Sequence, residues 1–294
     1  MPNVAANGIR IEYDTFGDST NPVLLLVMAL GAQMIQWDEK FCRMLADKGL
    51  YVIRFDNRDV GLSTKFEEDG VPDTAALVQA MAQGQEVDAP YTLDDMADDA
   101  VGLLDTLGLE KAHFCGGSMG AAIVQVIGYR HPSRVLSLIP ISGTTGNPDL
   151  PQAKPEAMQA LGAPVPFERE AHIEHRVKVQ RIMRGRGFEF NEKRAREFAA
   201  LSYDRSFYPE GRARQLAALI ASGNRKPRLA SISAPTLVIH GSDDPLVPVE
   251  AGQDIAGGIP GARLMIIEGM GHEQVVEVWP QIADAIVEHI KKTA

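Results

Sequence analysis

A chain of 294 residues is long enough to bury one large α/β core and still carry an inserted segment. Its hydrophobic fraction of 45% suits a globular protein, and a net charge of −10 argues against nucleic-acid or anionic-membrane partners. The start of the chain has no basic region followed by an apolar stretch. The longest apolar run, around Val23 to Leu30, is too short to span a bilayer, so a cytoplasmic protein is expected. The two cysteines, Cys42 and Cys115, fall in a predicted helix and at a predicted strand end, which indicates no structural disulfide.

In chain order, Ile9 to Phe16 alternates apolar and polar residues and reads as an antiparallel edge strand. Val23 to Ala29 is a continuous aliphatic run, the pattern of a strand buried on both faces; Tyr51 to Phe55, Ala112 to Cys115, Val135 to Ile141, Thr236 to His240 and Arg263 to Ile267 repeat it. Helical patterns separate them at Gln36 to Lys48, Leu93 to Leu107, Ser118 to His131, Glu250 to Ala256 and Gln274 to Lys292. Such alternation implies right-handed crossovers, a mostly parallel sheet and a site at the carboxyl ends of its strands. From about Gly146 to Pro227 the alternation gives way to helices alone: Pro155 to Leu161, Phe167 to Arg184, Asn191 to Asp204 and Gly211 to Ser222. The expected division is a core of residues 1–143 and 231–294 with a helical cap of residues 144–230. Between Thr144 and Ala230, 16 Lys and Arg stand against 10 Asp and Glu, a net of +6 that leaves −16 for the rest of the chain. A basic cap would be attracted to an acidic core, although most such charges simply solvate helix faces.

Three strand ends carry reactive side chains. Gly116-Gly117-Ser118-Met119-Gly120 follows the run from Lys111 to Cys115 and precedes a buried helical pattern. A serine displayed on a sharp turn needs small neighbours, and at a helix N-terminus it meets free N–H groups and a favourable dipole. Ser242-Asp243-Asp244-Pro245 follows the strand pattern at Thr236, and Gly269-Met270-Gly271-His272 follows the one at Arg263. Of the seven histidines, His272 alone lies in a Gly-rich loop after a predicted strand. His113 and His240 read as core residues, His131 and His289 as helix-end residues, and His172 and His175 as cap residues that face solvent. No histidine spacing fits a metal site.

The serine, acid, histidine order and the G-x-S-x-G turn resemble the α/β-hydrolases over nearly the whole chain. Asp56-Asn57-Arg58-Asp59-Val60-Gly61-Leu62-Ser63 after a strand and Tyr91 to Asp99 opening a helix add to the likeness. Leu24 to Met28, Gly117 to Ala121 and Gly269 to His272 are similar to esterases of the aclacinomycin-methylesterase type. The resemblance implies an α/β-hydrolase fold and a serine esterase with Ser118 as nucleophile, His272 as base and Asp244, the acid directly before a proline, as its orienting partner; Asp243 is the alternative acid. It implies an oxyanion hole from the backbone amides of Met119 and Leu30, the latter where many relatives have His-Gly and this chain has Met28-Ala29. Trp37 and Met34 are candidate pocket walls.

The implied substrate is a small or medium hydrophobic ester, hydrolysed through an acyl-enzyme without cofactor or metal. A lactonase, thioesterase, perhydrolase or C–C bond hydrolase would use the same three residues, and a ligand receptor on the same fold is the non-enzymatic alternative. Serine at position 118 argues against dehalogenases and epoxide hydrolases, whose relatives carry aspartate there. Phe167, Phe188, Phe190, Phe198, Tyr203, Phe207 and Tyr208 put seven of the chain's 18 aromatics in the predicted cap, which leads to the expectation of an apolar pocket with few polar anchors. Oligomeric state is not legible.

Overall fold

The computed structural model describes residues 2–83, 85 and 87–293. Among them, eight strands join in one sheet: β1 (Asn3–Ala6), β2 (Ile9–Phe16), β3 (Val23–Val27), β4 (Tyr51–Phe55), β5 (Ala112–Gly117), β6 (Val135–Ile141), β7 (Leu237–Gly241) and β8 (Arg263–Ile267). Their order is β1-β2-β4-β3-β5-β6-β7-β8. β2 pairs antiparallel with both β1 and β4, and all other neighbours pair parallel; β2 is antiparallel as its alternation predicts but is not the edge, because β1 lies outside it.

The all-apolar central strands feed both faces. Leu25 and Val27 of β3 pack with α3 (Leu93–Thr106) and α4 (Met119–Arg130); Leu24 and Leu26 pack on the other side with α1 (Glu39–Asp47) and α11 (Trp279–Lys291). α10 (Val249–Gly258) covers the first face through Ile255. Burying such side chains is the main favourable term of folding, about 1.5–3 kcal/mol for each. Both cysteines are free and buried, and burial pushes the Cys42 thiol up to about 12.

Several boundaries differ from the sequence reading for local reasons. β3 stops at Val27, because the chain at Met28 turns into a loop whose carbonyl accepts from Asn57 Nδ2 at 3.0 Å. The predicted helix from Gln36 splits into a 3-10 turn at Met34–Gln36 and α1, which Asp38 caps by accepting from the Lys40 amide. The last helix begins at Trp279, with Pro280 in its first turn, rather than at Gln274. β1, α2 (Thr74–Ala82) and the short α9 (Lys226–Leu229) are elements without a counterpart in the sequence reading.

Between β6 and β7 run α5 (Pro155–Gly162), α6 (Arg169–Met183), α7 (Glu192–Arg205), α8 (Pro209–Ala221) and α9. Arginines of this insertion pair with acids beneath it: Arg194 with Asp38 at 2.6 Å, Arg205 with Asp56 at 2.7 Å and Arg214 with Asp59 at 2.8 Å. The last is the deepest. Arg214 is 1% exposed, binds both carboxylate oxygens of Asp59 and donates to the Gly70 carbonyl at 2.6 Å.

Removing one partner of a buried pair strands the other charge, which typically costs about 3–5 kcal/mol. Arg214→Met is therefore expected to lower unfolding stability by that amount. Adding Asp59→Asn, which suits the left-handed backbone there (φ 68°), should restore a large part of it. Denaturant titration of the single and double variants measures both; equal stability of Arg214→Met and the native chain would refute the pairing's importance.

Candidate active site

The turn after β5 sets the site. Ser118 sits at φ 53°, ψ −113°, a strained conformation for a residue with a side chain. It persists because the surroundings hold it: the Ser118 amide donates to Ile141 O at 2.9 Å, and the glycines on either side leave room for close backbone contact. A Cβ on Gly116 would lie 2.2 Å from Gly120 O, and one on Gly120 would lie 2.2 Å from Val27 O. Gly117 makes no such contact; a Cβ there would come no closer than 3.6 Å, to Gln274 Nε2. The outer glycines of the motif are therefore the ones the geometry demands.

Three loops converge on the serine. His272 Nε2 lies 2.9 Å from Ser118 Oγ, and His272 Nδ1 lies 2.8 Å from Asp244 Oδ2. Asp244 is 5% exposed, and its Oδ1 accepts from the amides of Leu246 at 2.9 Å and Val247 at 2.8 Å, which fixes the carboxylate. Asp243 does not reach the histidine: its amide donates to Met270 O and its side chain accepts from Ser242 Oγ. Burial disfavours the His272 imidazolium, but the Asp244 carboxylate more than offsets this and holds its pKa above the ordinary 6.5. Glu273 lies next to it, half-buried, and burial pushes its carboxyl up to about 7.

The loop after β3 is held from three sides. Asn57 ties down Met28 O, Asp56 Oδ1 accepts from the Met34 amide at 2.7 Å, and Gln215 Oε1 of α8 accepts from the Gly31 amide at 2.8 Å. Gln215 is fully buried, and its Nε2 donates to Arg58 O at 2.7 Å. The Leu30 and Met119 amides, at the two sides of this turn, donate to no protein acceptor among the described residues. Gln215 and the Asp56–Asp59 loop hold this loop in ways that the sequence reading quoted only as a likeness or missed; a glutamine in an inserted helix carries no signal until its partners are known.

The loop bearing His272 is in turn bound to the end of α6. The Gly271 amide donates to Arg184 O at 2.9 Å and the His272 amide to Met183 O at 2.6 Å. A Cβ on Gly271 would sit 2.2 Å from Gly185 N, so only glycine permits that approach.

A cavity of about 710 Å³ lies between the strand ends and the insertion, and Ser118, Met119, Leu30 and His272 line it. Its walls are mostly apolar, as expected, but carry more polar groups than the few expected. Trp37, Phe190, Phe198, Leu216 and Leu219 are apolar, but Arg176, Gln180, Arg184, Glu273 and Gln274 also face it. Of the seven predicted cap aromatics, Phe190 and Phe198 line it; Tyr203 and Phe207 stack on each other at 4.6 Å, and Phe167 is exposed. Trp37 lines the cavity, whereas Met34 is buried away from it in the fold. His172 is half-buried against Tyr203 and Phe207 rather than solvated. His240 is core, as read, with Nε2 on Val247 O.

Residues 22–277 match the model of a protein family described as the alpha/beta hydrolase fold. The chain is an α/β hydrolase. It is 30% identical to rhodomycin D methylesterase DauP of Streptomyces sp. (strain C5), over 98% of this chain and 97% of the relative. It is 28% identical to 3-oxoadipate enol-lactonase 2 of Acinetobacter baylyi, over 98% and 96%. Among solved structures, a meta-cleavage product hydrolase of Pseudomonas fluorescens IP01 superimposes with a TM-score of 0.77 at 20% identity, covering 100% of this hydrolase and 98% of that chain. The likeness to methylesterases expected from short motifs thus extends over nearly the full chain.

The His272 ring is expected to titrate above 6.5, and Asp244→Asn to bring its pKa down, because the neutral amide removes the attraction that outweighs burial. NMR of the imidazole against pH checks this; a pKa unmoved by the substitution would contradict it.

Proposed function

We propose that this α/β hydrolase is a serine carboxylic ester hydrolase that works through an acyl-enzyme. The observation that carries the reading is the unbroken line Asp244–His272–Ser118, with the serine on a strained turn open to a large cavity. Ser118 Oγ attacks the ester carbonyl as His272 Nε2 takes its proton, and Asp244 stabilises the imidazolium and fixes the tautomer. The negative charge that develops on the carbonyl oxygen is held by the Leu30 and Met119 amides, the latter at the first residue of α4 where the helix dipole adds to it. The tetrahedral intermediate collapses, His272 returns the proton to the departing alcohol, and water repeats the sequence to release the acid. None of these steps calls on a cofactor.

Residues 144–230 act in this reading as a cap that closes the substrate site over the core of residues 1–143 and 231–294. The methylesterase relatives favour an ester of a small alcohol. The enol-lactonase relative favours a cyclic ester as the second reading, for which the same residues open the ring instead of expelling an alcohol.

Ser118→Ala is expected to keep the fold and abolish turnover of a p-nitrophenyl ester, and a fluorophosphonate should label Ser118 alone. A label elsewhere, or turnover near the native rate, would overturn the assignment. Asp244→Asn should reduce kcat by about 10³ to 10⁴, the scale of the analogous triad substitution, and Asp243→Asn far less. Gln215→Leu should lower kcat about 10- to 100-fold with little change in KM, because it releases the loop bearing the Leu30 amide and leaves the substrate walls in place. A Gln215→Leu enzyme with native kcat would show that the loop needs no such tie.

A further inference from the structure

The reaction at Ser118 leaves unused a cationic group in the roof of its own cavity. Arg176 of α6 lines both the 710 Å³ cavity and a smaller one of about 130 Å³ beside it. Among the described residues it makes no hydrogen bond or ion pair with protein. Its charged surroundings worsen its position: Arg212 of α8 and His175 of its own helix lie within its field, and Arg212 itself is occupied only by the Leu161 carbonyl at 2.8 Å. The carboxyl that acts on Arg176 is Glu273, which is shared with His272. One turn along α6, Gln180 also faces the cavity with an amide Nε2 that can donate, and one turn further Arg184 has a buried Nη1 without a partner. Residues 176, 180 and 184 recur every four positions and so form one stripe, and all three face the cavity.

Arg176 is half-buried and its guanidinium has no protein hydrogen bond, so its charge is incompletely compensated, and more so beside a second arginine. The cost is recovered when a ligand supplies the anion. Burial depresses both Arg176 and Arg212, and it also leaves Glu273 partly protonated near neutrality, so that Glu273 cancels the positive site only in part. The planar fork of arginine matches the two oxygens of a carboxylate.

We propose that the substrate carries a free carboxylate besides its scissile ester, and that Arg176 binds this group, with Gln180 beside it. The inference rests on the ester-hydrolase reading for the reacting end only; the anion site itself stands on the residues of α6. Apolar walls at Leu216, Leu219 and Phe198 would then enclose the chain that joins the two ends.

The test compares monomethyl and dimethyl esters of straight-chain dicarboxylic acids from succinate to suberate, which differ at the far end by one negative charge. For at least one chain length the native enzyme is expected to favour the monoanion in kcat/KM by about tenfold or more, the scale of a buried charged pair. Arg176→Gln should reduce that ratio to near one, and Arg176→Lys should retain part of it. A native ratio of one or below at every length, or a ratio unchanged in Arg176→Gln, overturns the proposal. A second arm does not depend on turnover: the free diacids should raise the Tm of Ser118→Ala and fail to raise that of Ser118→Ala/Arg176→Gln. Equal shifts in the two variants, or none in the first, count against the site. Failure to hydrolyse any ester would sink the esterase reading alone and leave this arm to decide the carboxylate site.

Discussion

Four consecutive residues after β4 tie together the loops around the site, because each is buried and the three charged ones cannot be left without a partner. Asp56, Asn57, Arg58 and Asp59 are at most 5% exposed. Charges withdrawn from water this far must be paired, and the partners come from every direction. Arg58 forms a two-pronged pair with Asp99 of α3. Asp59 takes Arg214, and Asp56 takes Arg205, both from the inserted helices. Asp56 and Asn57 meanwhile hold both ends of the loop after β3. The placement of the insertion and the shape of the loop beside Ser118 are therefore one constraint. The insertion cannot shift by an ångström without unpairing a buried carboxylate, and the carboxylates cannot relax without loosening the loop.

The opposite wall is fixed by backbone instead of charge. Residues 183–187 lie against residues 269–272 closely enough that glycines are needed on both sides, and the amides of Gly187, Gly271 and His272 all bond across the gap. The insertion thus grips the core at two places, one behind the loop after β3 and one behind the histidine loop. The strained Ser118 turn lies between them, held by Ile141 O. Strain of this kind, worth about 1–3 kcal/mol, survives only where the surroundings over-determine the conformation. Here that over-determination comes from the sheet itself, through Ile141 O and the close approach of Gly120 to Val27 O.

The parts of this arrangement that were legible in the sequence are those written in local pattern. Both-face burial leaves an unbroken aliphatic run, so the strands from Val23 onward could be read; the serine turn leaves small residues at fixed offsets; Asp244 could be preferred to Asp243 from its proline. β1 was missed because four residues with three of them at least partly exposed carry no period. Gln215 and Arg214 were missed for another reason: their partners Gly31 and Asp59 lie 184 and 155 positions away, and nothing local distinguishes them from other residues of the inserted helices. The polar groups in the mostly apolar cavity escaped the reading in the same way. Along and just past α6, Arg176, Gln180 and Arg184 look like part of a solvated charged face, and only the fold turns that stripe inward.

That inward stripe changes how the cavity must be viewed electrically. Glu273 sits between two cations, His272 when it is protonated and Arg176 at all times, and both draw its pKa down; burial nevertheless wins and keeps it near 7. A carboxyl so poised is a poor counter-ion for either neighbour at neutral pH, since it spends part of its time uncharged. His272 does not need it, because Asp244 is closer and fixed by two amides. Arg176 has no such substitute. Apolar side chains of the same cavity, Val179 and Met183 on α6 and Leu161 on α5, lower its polarity, so the field of the half-buried Arg176 reaches further into it than an exposed arginine's would. The two ends of the site are thus opposite in electrical design: the reacting end has its charges matched in advance, while the roof carries a charge that only an incoming group can match.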